Sequence, residues 1–146
     1  MCGNASYDHP GIEATLALPA EAPYVRMARH FGTALLDQWG LTLDERDTAI
    51  AVLGELAANA AEHGRSKMAI ALALSEFSLR ISVVDFGREP GHGGSAVRRA
   101  ADESGRGMEI VRVLSDRMSV ERQTDGYCIE AVLPCGRVSA SASGLP

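Results

Sequence analysis

The spacing of apolar residues divides the first half of the chain into one strand and two helices. Residues 12–18 alternate between apolar and other side chains, which is typical of a half-buried β-strand. Over residues 21–39 the apolar side chains recur every three or four positions, and this predicts an amphipathic helix. A second helix is predicted over residues 42–63. It begins with Thr42 and Glu45, whose spacing is that of a capping box.

The second half of the chain is dominated by strand patterns. A short turn separates the first two of these strands, so they are predicted to form an antiparallel hairpin. A third helix, with apolar side chains from Met108 to Leu114, lies between the hairpin and the last two strands. The four strands are predicted at residues 68–74, 79–85, 117–122 and 127–133.

Composition indicates one compact α/β domain. The chain has 146 residues, of which 46% are hydrophobic, enough for a core of its own. The formal net charge is -5 and the basic residues are scattered, so we do not expect a nucleic-acid partner. We expect a cytoplasmic protein, since residues 1–11 have no apolar leader segment and no run approaches a membrane span. We expect a flexible segment at 1–11, the domain at 12–134 and a disordered tail at 135–146.

Three polar residues at four-residue spacing mark the second predicted helix. Glu55, Asn59 and His63 share one face, because a helix advances about 100° per residue. A carboxylate beside an amide oxygen is a suitable pair for holding hydrated Mg²⁺ and orienting a nucleophile near a nucleotide. The helix pattern taken alone is equally compatible with a solvated stripe.

A second carboxylate is predicted at the inner end of a strand. Alternation along residues 79–85 turns Asp85 to the same face as the apolar residues Ile81 and Val83. A buried carboxylate requires a partner, because an unpaired buried charge is strongly destabilising. The alternative interpretation is that the strand ends at Val84 and that Asp85 caps a turn with Gly87.

A glycine-rich segment precedes the third helix. Residues 86–104 are charged and aperiodic, as in a loop that closes over a ligand. The sequence Gly105-Arg106-Gly107-Met108 then leads into the helix. Glycines at a helix N-terminus let phosphate oxygens reach backbone N–H groups, and Arg106 could add a charged contact. A single Gly-x-Gly is also common in plain turns.

The order of these three motifs resembles that of the GHKL ATPase superfamily of gyrase, Hsp90, histidine kinases and MutL. The small size and the sequence from Asp85 to Pro90 are most similar to bacterial anti-sigma-factor serine/threonine kinases. The resemblance covers residues 12–134. It implies an α+β fold, a two-layer sandwich in which helices cover one face of a mixed, mostly antiparallel sheet. The chain departs from the pattern at Glu89, where wider relatives have glycine, and at Tyr127-Cys128-Ile129, where the family tends to carry threonine.

The resemblance also implies a role for each motif residue in binding ATP and Mg²⁺. Asn59 would be the Mg²⁺ ligand, and Glu55 the general base that activates the attacking hydroxyl or water. Asp85 would accept a hydrogen bond from the exocyclic amine of adenine, and Gly87 would let the backbone pass close to the base. His63 would lie beside the nucleotide or only end its helix near the negative pole of the helix dipole. The phosphates would lie at the start of the third helix, on Gly105, Arg106, Gly107 and Met108.

The function implied is phosphoryl transfer from ATP to a serine or threonine of a STAS-type anti-anti-sigma protein, in partner switching with a sigma factor. A homodimer is implied by the resemblance alone. A second hypothesis is a nucleotide-gated module that sequesters a regulator without turning ATP over. A third, a detached histidine-kinase catalytic domain, ranks last, because His9, His30 and His92 do not lie in a paired-helix acceptor context.

Overall fold

The structure is a computed structural model, and it describes residues 11–63, 66–86, 105–124 and 126–136. Five strands and three helices form along these residues, as the apolar pattern predicted, and their ends lie close to the predicted ones. In chain order they are β1 (Ile12–Pro19), α1 (Pro23–Gln38), α2 (Leu43–His63), β2 (Lys67–Leu74), β3 (Ser78–Phe86), α3 (Gly105–Leu114), β4 (Arg117–Gln123) and β5 (Gly126–Pro134).

The five strands form one sheet in the order β1-β2-β3-β5-β4. The predicted hairpin is β2 and β3, in which Leu72 lies opposite Ile81, and Ile81 in turn lies opposite Ala131 of β5. Every pairing among the described strands is antiparallel. The sheet was predicted to be mixed and mostly antiparallel, and the described residues contain no parallel pair. The predicted fold class, a two-layer α+β sandwich, is confirmed.

The core lies between the sheet and the helices. Helix α2 packs across β3 and β2, α1 packs on α2, and α3 lies between α2 and the β4–β5 pair. One face of each central strand supplies buried side chains, of which each Val, Leu or Ile contributes about 1.5–3 kcal/mol relative to exposure. They include Ile70, Leu72, Ile81, Val83, Ile129 and Ala131.

Local sequence signals fix the ends of the helices. The Thr42 N–H donates to Glu45 Oε1 at 2.9 Å and the Glu45 N–H donates to Thr42 Oγ1 at 3.1 Å, which confirms the predicted capping box. Pro23 begins α1, where a missing N–H and a fixed φ are both tolerated. Gly40 follows α1 with φ 81°, a left-handed conformation that glycine adopts without steric strain.

The predicted terminal segments lie almost wholly outside the described residues, as does the predicted ligand-closing loop from residue 87 onwards. The first two residues of the predicted tail are described. Cys135 is buried in the core, and the Gly136 N–H donates to Glu45 Oε2 at 2.7 Å. In the described part of the chain, no helix combines the length and the apolar character needed to span a membrane.

Candidate active site

The polar face of α2 is turned inward at its C-terminal half. Asn59 is only 4% exposed, and its Oδ1 atom accepts no hydrogen bond within the described part of the protein. A buried polar atom without a partner usually reflects strain, a catalytic role or a ligand. Glu55, one turn earlier, is half-buried. The interpretation of this face as a solvated stripe is therefore wrong.

His63 is the last residue of α2. Its Nε2 atom lies 3.8 Å from Glu62 Oε1, and its side chain is 16% exposed. Three residues further, the Ser66 N–H donates to the Phe86 carbonyl oxygen at 3.3 Å. The end of α2 and the end of β3 therefore meet at one edge of the sandwich. His63 is therefore a helix-end residue, and its place beside a nucleotide stays a prediction.

Asp85 lies at this same edge, near the end of β3. Its side chain is 3% exposed, on the face of the sheet that the helices cover, as the alternation predicted. The strand continues through Phe86, so the alternative that β3 ends at Val84 is wrong. The Tyr127 backbone N–H donates to Asp85 Oδ1 at 3.2 Å. A charge-assisted hydrogen bond of this kind offsets part of the desolvation of a buried carboxylate.

The start of α3 packs against Glu55. Gly107 lies in the first turn of α3, and a Cβ atom at this position would collide with Glu55 Oε1. The absence of a side chain at Gly107 is therefore what allows the carboxylate of α2 to lie against α3. The contact joins two sequence motifs that are distant in the chain, the polar helix face and the Gly-x-Gly.

The other residues at the start of α3 divide between surface and core. Helix α3 begins at Gly105, and Arg106 is exposed, where its guanidinium is available to an anion. The Met108 side chain is 2% exposed and belongs to the hydrophobic core. Any contact between Met108 and a ligand would therefore use its backbone N–H. Gly87, predicted to lie near the base, falls outside the described residues.

The helix dipole makes the α3 N-terminus electropositive. The first turn of α3 contains no acidic residue, in contrast to the first turn of α2, which contains Asp44 and Glu45. Free N–H groups at such a terminus bind anions, phosphate in particular. The carboxylate of Glu55 lies against this helix end, next to Gly107.

The donor set fits Mg²⁺ bound together with a nucleotide. Within the described residues, no three His, Cys, Asp or Glu side chains cluster closely enough to form a metal cage. Mg²⁺ commonly keeps few protein ligands and completes its shell with water and substrate phosphates. A buried amide oxygen without a partner, at Asn59, is suited to that arrangement.

Sequence reasoning missed Gly126 and the backbone of Tyr127. Gly126 lies outside the strands predicted from the sequence, but it is the first residue of β5, and a Cβ atom there would collide with the carbonyl oxygen of Asp85. The available signal was a glycine directly before the strand predicted at residues 127–133. Its partner Asp85 is distant in sequence, so the contact itself could not be inferred.

The fold and the site together define a class of protein, an α+β sandwich with a nucleotide-type site. Its buried amide, two carboxylates and glycine-lined helix N-terminus suit a nucleoside triphosphate. The family model of the histidine kinase-like ATPase domain matches residues 18–133. The chain belongs to this family of histidine kinase-like ATPase domains. Membership implies that it binds ATP.

A comparison with solved structures supports the fold. A chain in the crystal structure of the SiaB-SiaC complex from Pseudomonas aeruginosa matches with a TM-score of 0.62 and 16% sequence identity. The match covers 82% of this chain and 88% of that chain. At this identity the likeness concerns the fold alone. A comparison with curated proteins finds no match.

Proposed function

We propose that the chain is an ATP-dependent protein serine/threonine kinase of the anti-sigma-factor type. The observation that supports this best is the arrangement around Glu55. Its carboxylate lies against Gly107 at the start of α3, and one turn later Asn59 presents a buried oxygen without a partner in the described chain. A base, a metal ligand and a phosphate-binding helix end are the parts that phosphoryl transfer requires.

Each side chain has one role in the proposed reaction. Glu55 accepts the proton of the attacking serine or threonine hydroxyl, and Asn59 holds Mg²⁺. The metal supplies charge neutralisation at the phosphates. The N–H groups at Gly105, Arg106, Gly107 and Met108 bind the phosphate oxygens, and Asp85 binds the adenine amine. Gly87 passes close to the base, and His63 borders the nucleotide at the end of α2.

The proposed substrate is a small STAS-type anti-anti-sigma protein, and the proposed second partner is a sigma factor. Both come from the resemblance of the motifs. The matched solved structure is a complex of two different proteins, which is consistent with a fold that works by binding a protein partner. We further propose that the domain acts in the cytoplasm, as a homodimer, through residues 12–134.

The test is transfer of the labelled terminal phosphate of ATP, with Mg²⁺, to a panel of purified STAS-type domains. We expect acid-stable phosphate on a serine or threonine of one domain, and none when Mg²⁺ is removed. Binding of ATP and of ADP, with and without Mg²⁺, is measured by calorimetry in parallel. Acid-labile phosphate would indicate phosphohistidine chemistry and would overturn the proposal.

The alternative is a nucleotide-gated binding module without turnover. It predicts Mg²⁺-dependent ATP binding in the same calorimetry, with no transferred phosphate and no ADP formed. The carboxylate of Glu55 at the phosphate-binding turn favours the kinase, because a module without turnover has no use for a base at that place.

A further inference from the structure

An arginine of α1 lies on the backbone of α2 at a glycine. Gly54 is buried in the middle of α2, and a Cβ atom there would lie 2.6 Å from Arg29 Nε and 2.9 Å from Arg29 Nη2. Glycine is unfavourable in the middle of a helix. The guanidinium of Arg29 occupies the space that a side chain at position 54 would take. It therefore lies beside the residue that precedes Glu55.

The guanidinium of Arg29 differs from that of Arg46, which is also on the helical side of the sandwich. Arg46 pairs with Asp37 at 2.7 Å and with Asp47 at 3.4 Å. Arg29 is exposed, and no ion pair within the described part of the chain includes it. A guanidinium carries five N–H donors in a planar fork, which matches a carboxylate in two parallel hydrogen bonds. Packing therefore holds Arg29 where its donors can bind a group of another molecule.

The surface beside Arg29 is the open side of the proposed base. Ala51 and Ala58 are exposed and lie one turn before and one turn after Glu55 on the same line of α2. The sheet, α1 and α3 pack against the other sides of the helix. A hydroxyl of a protein substrate would reach Glu55 across this line of small side chains. The residues that flank this hydroxyl would then lie close to Arg29.

We propose that Arg29 is a specificity-determining residue, whose guanidinium binds an acidic side chain next to the acceptor hydroxyl of the protein substrate. This inference rests on the proposed function. The proposed phosphate site is at the start of α3, whereas Arg29 comes from α1 on the other flank of α2, so Arg29 serves the substrate and not the nucleotide. A cation at this place also offsets the repulsion between an acidic substrate segment and a chain with a formal net charge of -5.

The test measures docking of the purified STAS-type domains by calorimetry, with Mg²⁺ and a non-hydrolysable ATP analogue. We expect Arg29→Glu to weaken docking by about 10- to 100-fold, because like charges then face each other. Its affinity for ATP should stay within a few-fold of wild type. Arg112→Glu makes the same change of charge at an exposed residue of α3 and should leave docking unchanged.

Gly54→Ala tests the position of the guanidinium without removing its charge. The added methyl group displaces the flexible end of Arg29, so docking should weaken by about 2- to 5-fold, the range of one exposed ion pair. The free energy of unfolding should rise, because alanine favours a helix more than glycine does. Unchanged docking in this stable variant would mean that Arg29 only supports the packing of α1 on α2. If Arg29→Glu does not fold, Gly54→Ala still decides.

A lysine scan of the docked domain identifies the acidic partner of Arg29. Each aspartate and glutamate of that domain is replaced by lysine in turn. We expect one substitution to weaken docking to the wild type and to restore docking to Arg29→Glu, because the charges of the pair are then exchanged. The absence of any such reciprocal substitution contradicts the proposal.

The outcomes separate this inference from the proposed function. A wild type that docks with none of the domains overturns both. A wild type that phosphorylates a domain, combined with an Arg29→Glu variant that binds this domain as tightly, overturns the role of Arg29 alone. An equal loss of docking in Arg112→Glu also overturns it, as does a loss of ATP affinity in Arg29→Glu that parallels the loss of docking.

Discussion

The N-termini of α2 and α3 differ in the residues that lie near their unpaired backbone N–H groups. At the start of α2, Thr42 and Glu45 form a reciprocal capping box, and Glu45 also binds the Gly136 N–H. The first turn of α3 contains no acidic residue and includes the glycines Gly105 and Gly107. The first turn of α2 is capped by its own side chains, whereas no carboxylate in the first turn of α3 competes with an anion for the N–H groups there.

The same contrast divides α2 along its length. Its first turns stabilise the fold through local hydrogen bonds, whereas its last turns contain Asn59, a buried amide whose oxygen has no partner among the described residues. A buried polar group without a partner typically costs about 1–3 kcal/mol. We propose that this difference separates an end of α2 that stabilises the fold from an end that binds a ligand. Substitutions at the two ends should therefore change different observables.

The largest effect should come from Glu55→Gln. The amide keeps the size of the side chain and its position against Gly107 but cannot act as a base, so turnover should fall by about 10²- to 10⁴-fold. ATP binding should remain within a few-fold of wild type. Single-turnover transfer and calorimetry measure the two quantities. Wild-type turnover in this variant would show that Glu55 is not the general base.

Asn59→Ala should reduce the Mg²⁺-dependent part of the ATP affinity by about 100-fold. Its effect on stability should be small, within about 1 kcal/mol, since the loss of an unsatisfied amide offsets the loss of packing. Calorimetry with and without Mg²⁺ and urea unfolding provide the two readouts. A strongly destabilised variant would mean that the Asn59 amide supports the fold instead of the ligand.

Gly107→Ala should lower turnover by about 10- to 100-fold, because the added methyl group displaces the carboxylate of Glu55. The variant should not be less stable, since alanine has a higher helix propensity than glycine. Gly32→Ala, in α1, is the matched control on the opposite side of α2 and should keep wild-type turnover. Equal losses in both variants would point to a general disturbance of α2.

Local signals in the sequence were sufficient to predict the strands and helices. For one site residue they also predicted the face of the sheet on which the side chain lies. The alternation along β3 placed Asp85 on the covered face, and the Thr42–Glu45 spacing predicted the cap. The contacts of Gly107 with Glu55 and of Gly126 with Asp85 could not be predicted. Each joins residues far apart in the chain, and a missing side chain leaves no pattern that identifies its neighbour.

The smallest effect on the site should come from substitutions at the capped N-terminus of α2. Burial by itself would raise the pKa of Glu45, but the hydrogen bonds from Thr42 and Gly136 outweigh it and hold the pKa below its ordinary value of 4.5. A carboxylate with a lowered pKa stabilises the folded state above the pKa of the unfolded chain, and this contribution is lost as the pH falls through the folded pKa.

Glu45→Ala should therefore lower the free energy of unfolding by about 1 kcal/mol at pH 7, the usual value of a cap, and by less below the ordinary pKa of 4.5. Urea unfolding at both pH values measures the difference. Glu45→Gln, which keeps the capping geometry, should retain most of the stability at pH 7. ATP affinity should be unchanged in both, because the cap lies at the opposite end of α2 from Asn59. A loss of ATP affinity that parallels the loss of the cap would mean that the two ends of α2 are coupled, and that the division between a stabilising end and a binding end does not hold.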